Sequence, residues 1–213
     1  MILFFDTETT GKANFKLPPD HRSQPRLVQL AAILTDDTGE HEIATLNTVI
    51  KPEGFAIPYE ASEIHGITTE YATKHGVQLA DAIGVFKRFL KMASLSVGHN
   101  IEFDQFVIDG ELARLMEQPP VIDSFCTMKA MTDICGIPGP YGNKWPKLQE
   151  AYERCFGSTF DDAHDAMADV MACKAVYFWL KHTGEPGNAK LVAAGHPTCS
   201  ICGKTDPYRS CCP

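Results

Sequence analysis

The first eight residues constrain this chain most. Ile2-Leu3-Phe4-Phe5 is an unbroken apolar run that ends on Asp6-Thr7-Glu8. A run without alternation suits a strand buried on both faces of a sheet. Strand side chains alternate, so acids two residues apart project on one face. At the end of a buried strand such a pair is costly, because like charges repel and burial disfavours the ionised form. A divalent cation relieves both costs and prefers oxygen ligands. Solvated strand-end acids have the same spacing, so the pair alone does not decide the matter.

The downstream pattern predicts an α/β architecture. Residues 27–35 and 42–50 read as strands separated by the turn Asp36-Asp37-Thr38-Gly39, which gives the sheet an antiparallel start. Helical spacing follows at 60–66, 69–75 and 78–92, the last with Leu79, Ile83, Phe86 and Leu90 on one face. Residues 94–97 predict a short strand, 102–117 a helix, 121–123 a last strand and 124–135 a helix. Three prolines and three glycines make 136–146 a loop, and helices are expected at 147–156 and 162–182. Strands first, then strands alternating with helices, imply a mixed five-stranded sheet flanked by helices. Helical periodicity stops near Thr183-Gly184-Glu185-Pro186-Gly187. We therefore expect a domain over 1–183 and a linker with a short Cys-rich tail over 184–213.

With 213 residues, 44% hydrophobic and 22% charged, the chain reads as a soluble globular protein. No segment approaches the ~20 apolar residues that cross a bilayer. The opening run is too short for a signal peptide and lacks basic residues, so a cytoplasmic protein without a membrane partner is expected. A net charge of −8 argues against a nucleic-acid partner. Two bound divalent cations would cancel four carboxylates locally, however. Lys12, Lys16, Arg22 and Arg26 also fall in one segment opposed only by Asp20. They are either phosphate contacts or solvated loop charges.

Two further acids are placed tellingly. Asp104 follows a short strand in His99-Asn100-Ile101-Glu102-Phe103-Asp104, where the first turn of a helix would favour an acid in any case. Asp169 has apolar neighbours at helical spacing, Ala166, Cys173 and Val176, so it faces the protein. His164 precedes it by five residues, about 140° around an ideal helix. The two cannot share a stripe, and His164 is expected in the first turn or the loop before it.

Together these segments carry a resemblance. Phe4-Phe5-Asp6-Thr7-Glu8-Thr9-Thr10-Gly11 resembles the first motif of the DnaQ-like exonucleases, the DEDD superfamily with a ribonuclease H-like fold. His99-Asn100-x-x-Phe103-Asp104 resembles the second motif, and His164-x4-Asp169 the third, in the form that marks the DEDDh branch. Ile57-Pro58-x-x-Ala61-x-x-Ile64-His65-Gly66-Ile67-Thr68 is similar to the loop after the family's third strand, and Asp123 falls where many members carry an aspartate. The resemblance spans roughly residues 1–182.

It implies a ribonuclease H-like fold and 3′→5′ exonuclease activity that releases nucleoside 5′-monophosphates. It further implies two Mg²⁺ (or Mn²⁺) ions, ~4 Å apart, held by Asp6, Glu8, Asp104 and Asp169, with Asp6 bridging both. His164 would act as general base, imidazole being the side chain that titrates nearest neutrality. Thr7, Thr9, His99, Asn100 and Phe103 would surround the terminal nucleotide. The implied substrate is nucleic acid with a free 3′ end, single-stranded DNA before RNA, and a polymerase or other replication or repair protein is the expected partner. Two rivals stay open: a catalytically idle binding module of this fold, and a structure-specific endonuclease.

The eight cysteines fall into two groups. Cys126, Cys135, Cys155 and Cys173 lie in apolar patterns, as buried thiols do. Cys199, Cys202, Cys211 and Cys212 crowd the tail. With His196 they form a candidate structural Zn²⁺ site, against a reduced tail or disulfides.

Overall fold

A computed structural model of the chain describes residues 1–118 and 121–183. The candidate zinc ligands His196, Cys199, Cys202, Cys211 and Cys212 lie outside the described residues, as does the expected linker.

The apolar opening becomes the central strand. β1 (Ile2–Thr9) pairs antiparallel with β2 (Leu27–Thr35), which pairs antiparallel with β3 (Glu42–Val49). On its other side β1 runs parallel to β4 (Leu95–Gly98), and β4 runs parallel to β5 (Asp123–Cys126). The five-stranded order is β3-β2-β1-β4-β5. Leu3 and Phe5 pack against α3 (Leu79–Met92) and α4 (Ile101–Arg114) on one face. Ile2 and Phe4 pack against α7 (Ala166–Thr183) on the other. A strand covered by helices on both faces needs apolar residues at every position, which is the pattern of 2–5.

The remaining helices are α1 (Tyr59–His65), α2 (Thr69–His75), α5 (Thr127–Cys135) and α6 (Leu148–Phe156). No helix among the described residues is long and apolar enough to cross a membrane.

Three expectations are corrected. The last strand covers Asp123–Cys126 rather than 121–123, because β4 pairs Leu95 with Asp123 and Gly98 with Cys126. The 136–146 loop contains a two-residue ladder, β6 (Pro138–Gly139) with β7 (Gly142–Asn143). The last helix begins at Ala166, not at 162. Asp162 and His164 have positive φ values of 58° and 72°, which no right-handed helix accommodates. Asp165 instead caps the helix, its Oδ1 accepting the N–H groups of Met167 (3.0 Å) and Ala168 (3.1 Å).

One buried ion pair fastens the 12–26 loop to α4. Glu111 is 1% exposed and accepts hydrogen bonds from Arg26 Nε (2.8 Å), Arg26 Nη2 (3.1 Å) and the Leu27 N–H (3.0 Å). Arg26, a quarter exposed, therefore spends its Nε and Nη2 on Glu111. Removing one partner of such a pair strands the other, at about 3–5 kcal/mol. Glu111→Ala is expected to lose stability of this order in urea unfolding. A loss within about 1 kcal/mol, the scale of an exposed pair, would show that solvent already screens the interaction.

Candidate active site

The ends of β1, α4 and α7 meet at one edge of the sheet. Along β1 burial alternates: Thr7 and Thr9 are buried, while Asp6 and Glu8 are half-buried on the opposite face. Asp104 lies in the first turn of α4, 3% exposed, and reaches across to the strand. Its Oδ1 accepts both the N–H (3.0 Å) and the hydroxyl (2.7 Å) of Thr7. From the other face α7 presents Asp169 in its first turn. Ligand atoms of Glu8, His164 and Asp169 all lie within 4.8 Å of one another, a group that could hold a metal ion.

His164 belongs to the turn before α7, one of the two placements the spacing allowed. Its side chain is exposed and its backbone N–H donates to Asp169 Oδ2 at 3.4 Å. Left-handed φ in a residue other than glycine costs roughly 1–3 kcal/mol and collects at functional sites.

The electrostatics follow from crowding. Burial, then the charges of Asp104, Asp169, Glu8 and Asp165, push the Asp6 carboxyl well above its ordinary range. Burial, then Asp169, Asp104 and Asp165, push Glu8 up to about 8. Asp104 rises to about 7 through burial, against the downward pull of the two Thr7 hydrogen bonds. Asp169 rises to about 6, burial outweighing the lowering influence of His164. Each of these acids therefore keeps its proton to higher pH than an ordinary carboxylate does. Such a donor set suits hard divalent cations, which bind oxygen ligands and displace protons.

Several residues expected at the substrate are already engaged. Both hydrogen-bonding groups of Thr7 hold Asp104, so Thr7 positions a carboxylate. The Thr9 hydroxyl donates to the Gly11 carbonyl at 2.8 Å. The nitrogens of His99 lie 3.0 Å from the Thr127 hydroxyl and 2.9 Å from the Pro146 carbonyl, which makes this side chain a brace between α5 and the start of α6. Asn100 is exposed in left-handed conformation at the α4 cap, and Phe103 packs partly on the core beneath. Asp123 is exposed at the start of β5 and joins none of these contacts.

Two contributors escaped the sequence reading. Asp165 adds a fifth negative charge to the cluster. Gln29, 5% exposed, bridges Asn47 Oδ1 (2.9 Å) and Asp165 Oδ2 (3.2 Å) through its Nε2. Its signal was a lone amide inside the otherwise apolar run of β2.

A family model described as Exonuclease (RNase_T) matches residues 3–177, and the chain belongs to that family. It is 28% identical over 207 residues to human three-prime repair exonuclease 1, covering 84% of this chain and 63% of the relative. It is 30% identical over 179 residues to an uncharacterised exonuclease, CP81, of Escherichia phage 186, covering 78% of this chain and 81% of that one. Among solved structures, E. coli exonuclease I in complex with a dT13 oligonucleotide superposes with a TM-score of 0.69 at 23% identity, covering 91% of this chain and 42% of the other. That likeness establishes the ribonuclease H-like fold. The chain thus spans well under the full length of both the human relative and exonuclease I.

The raised carboxylates set a pH dependence with an unusual sign. In the metal-free protein the folded state keeps protons that the unfolded chain has lost, so stability declines as pH rises through about 6 to 8. Melting of metal-free protein should fall between about pH 5 and pH 8, and Mn²⁺ should restore it most at the upper end. Asp6→Asn should raise metal-free melting by about 2–4 °C per kcal/mol of relieved repulsion and shrink the Mn²⁺ response. Metal-free melting that climbs with pH would contradict this account. Thr7→Val, which keeps shape but loses the hydroxyl, should weaken Mn²⁺ binding in calorimetry by about 10–100-fold, the usual effect of removing a ligand's support. Wild-type affinity would return Thr7 to a packing role.

Proposed function

We propose that the protein is a metal-dependent exonuclease that removes nucleoside 5′-monophosphates from the 3′ end of single-stranded DNA, with RNA as the alternative polymer. The observation that carries this reading is the gathering of four proton-hungry carboxylates and one imidazole at a single sheet edge, in a chain of an exonuclease family. Support for the substrate comes from similar solved structures, which include exonuclease I with single-stranded DNA. An exonuclease I–SSB-Ct complex supports a replication or repair protein as partner.

Asp6, Glu8, Asp104 and Asp169 would hold two Mg²⁺ or Mn²⁺ ions. Bound there, the cations supply neutralising charge at the phosphate and at the attacking and leaving oxygens. His164 takes a proton from the attacking water at an imidazole nitrogen, and its exposed position lets that proton pass to solvent. Asp169, by accepting the His164 N–H, holds the turn in reach of the water. The new bond joins phosphorus to the water oxygen while the bond to the neighbouring nucleotide's 3′-oxygen breaks. That oxygen leaves with a proton from solvent, and the phosphate stays on the 5′ carbon of the released nucleotide.

Digestion of a 5′-labelled oligonucleotide with Mn²⁺ should give a ladder shortening from the 3′ end, abolished by chelator and by Asp6→Ala. His164→Ala should lower turnover by about 10²–10⁴-fold, the span of general-base catalysis, with oligonucleotide affinity retained. Loss of activity in acid should have two components. The part caused by protonated carboxylates should move to lower pH as Mn²⁺ is raised. The remainder should vanish in His164→Ala. Cleavage of circular single strands would convert the reading to an endonuclease, and an inert wild type to a binding module.

A further inference from the structure

An exposed aromatic ring and a half-buried one pair on the surface of α4, outside the core clusters. Phe15 is 60% exposed, and its ring stands 4.8 Å from that of half-buried Phe106, tilted by 55°. Phe106 is two residues beyond Asp104 on α4 and three beyond Phe103, about one helical turn.

The loop carrying Phe15 is rigidly mounted. Its buried Gln24 side chain accepts the Asn14 N–H (3.0 Å) and donates toward the carbonyls of Asn14 (2.8 Å), Pro18 (3.1 Å) and Leu17 (3.3 Å). It also follows α4 turn by turn: Phe15 meets Phe106, the Pro19 carbonyl meets Gly110 so closely that a Cβ there would lie 2.4 Å from its oxygen, and the His21 carbonyl faces Arg114 Nη2 at 3.5 Å. The loop therefore starts after Thr9 and runs along the helix toward its C-terminal end, and of the three α4 positions it touches Phe15 meets the one nearest Asp104 in sequence. Lys12, Lys16 and Arg22 are exposed on it, opposed only by Asp20.

A fixed, solvent-facing ring set among exposed cations is how single-stranded nucleic acid is tracked: cations follow the phosphates and rings stack the bases. We infer that Phe15, backed by Phe106, stacks the nucleobase next to the terminal nucleotide on its 5′ side, an assignment that rests on the exonuclease reading above. Stacking accepts any base, so this site selects for unpaired strands rather than for sequence.

The test uses full-length protein in Ca²⁺, with oligonucleotides carrying 2-aminopurine at the terminal or the penultimate position. Wild type should quench the penultimate probe on binding. Phe15→Ala should abolish that quenching and weaken binding by about 5–150-fold, the span of one base–aromatic stack. Phe15→Trp should keep both properties, while Phe15→Leu, of similar bulk but without a π face, should lose them. Unchanged affinity and quenching in Phe15→Ala overturns the proposal, as does quenching confined to the terminal probe. Hydrolysis of the p-nitrophenyl ester of thymidine 5′-monophosphate, which has no neighbouring base, separates the two readings. A wild type that turns over this ester while Phe15→Ala binds oligonucleotide normally refutes the stacking site alone. A wild type inert on ester and oligonucleotide refutes the exonuclease reading beneath it.

Discussion

Mutual repulsion among buried carboxylates governs the arrangement around it. Asp6, Glu8, Asp104 and Asp169 are brought together where burial already disfavours charge, and Asp165 adds to the load. Neighbouring groups fix three of the five: Thr7 holds Asp104 by two hydrogen bonds, the His164 backbone N–H meets Asp169, and the first backbone amides of α7 together with Gln29 hold Asp165. Protons and divalent cations then compete for the same oxygens. In the metal-free fold these carboxyls keep their protons to higher pH than free ones do, and a bound cation would displace those protons.

The sheet makes this concentration of charge feasible. β1 is central and covered on both faces, so its apolar half is secured by two clusters before the polar half emerges at the edge. Parallel pairing of β1 with β4 brings the start of α4 to the same edge, and α7 arrives from the opposite face. The three carriers are thus fixed by separate parts of the core. The 12–26 loop is tied down independently through Glu111 and Gln24, which lets the surface beside the carboxylates be rigid without sharing their electrostatic cost.

Much of this was legible because it is periodic. The unbroken run 2–5 marked a strand covered twice, residues 27–35 matched β2 residue for residue, and the stripe through Leu79, Ile83, Phe86 and Leu90 is buried as spaced. The acids stood out because carboxylates in apolar company are costly. Pairings of polar groups were not legible, since periodicity reports burial and is silent about partners. Thr7 and His99 read as substrate contacts, yet their partners lie 97 and 47 residues away. Arg26 looked like a surface cation until α4 supplied Glu111. The start of α7 was misplaced because a capping aspartate beside a left-handed histidine looks, residue by residue, like the first turn of a helix.

The long separation between Thr7 and Asp104, and the longer one to Asp169, also governs when the cluster comes into being. Closing loops this long costs only slightly more than closing shorter ones, but both ends of the chain must be present before the contacts can form. During synthesis the helix bearing Asp169 follows the acids of the central strand by more than 160 residues. A nascent chain therefore lacks the last carboxylate, and the turn that carries His164, until almost the whole domain has been translated. The complete carboxylate set therefore exists only in the finished domain, and no shorter stretch of it carries the centre.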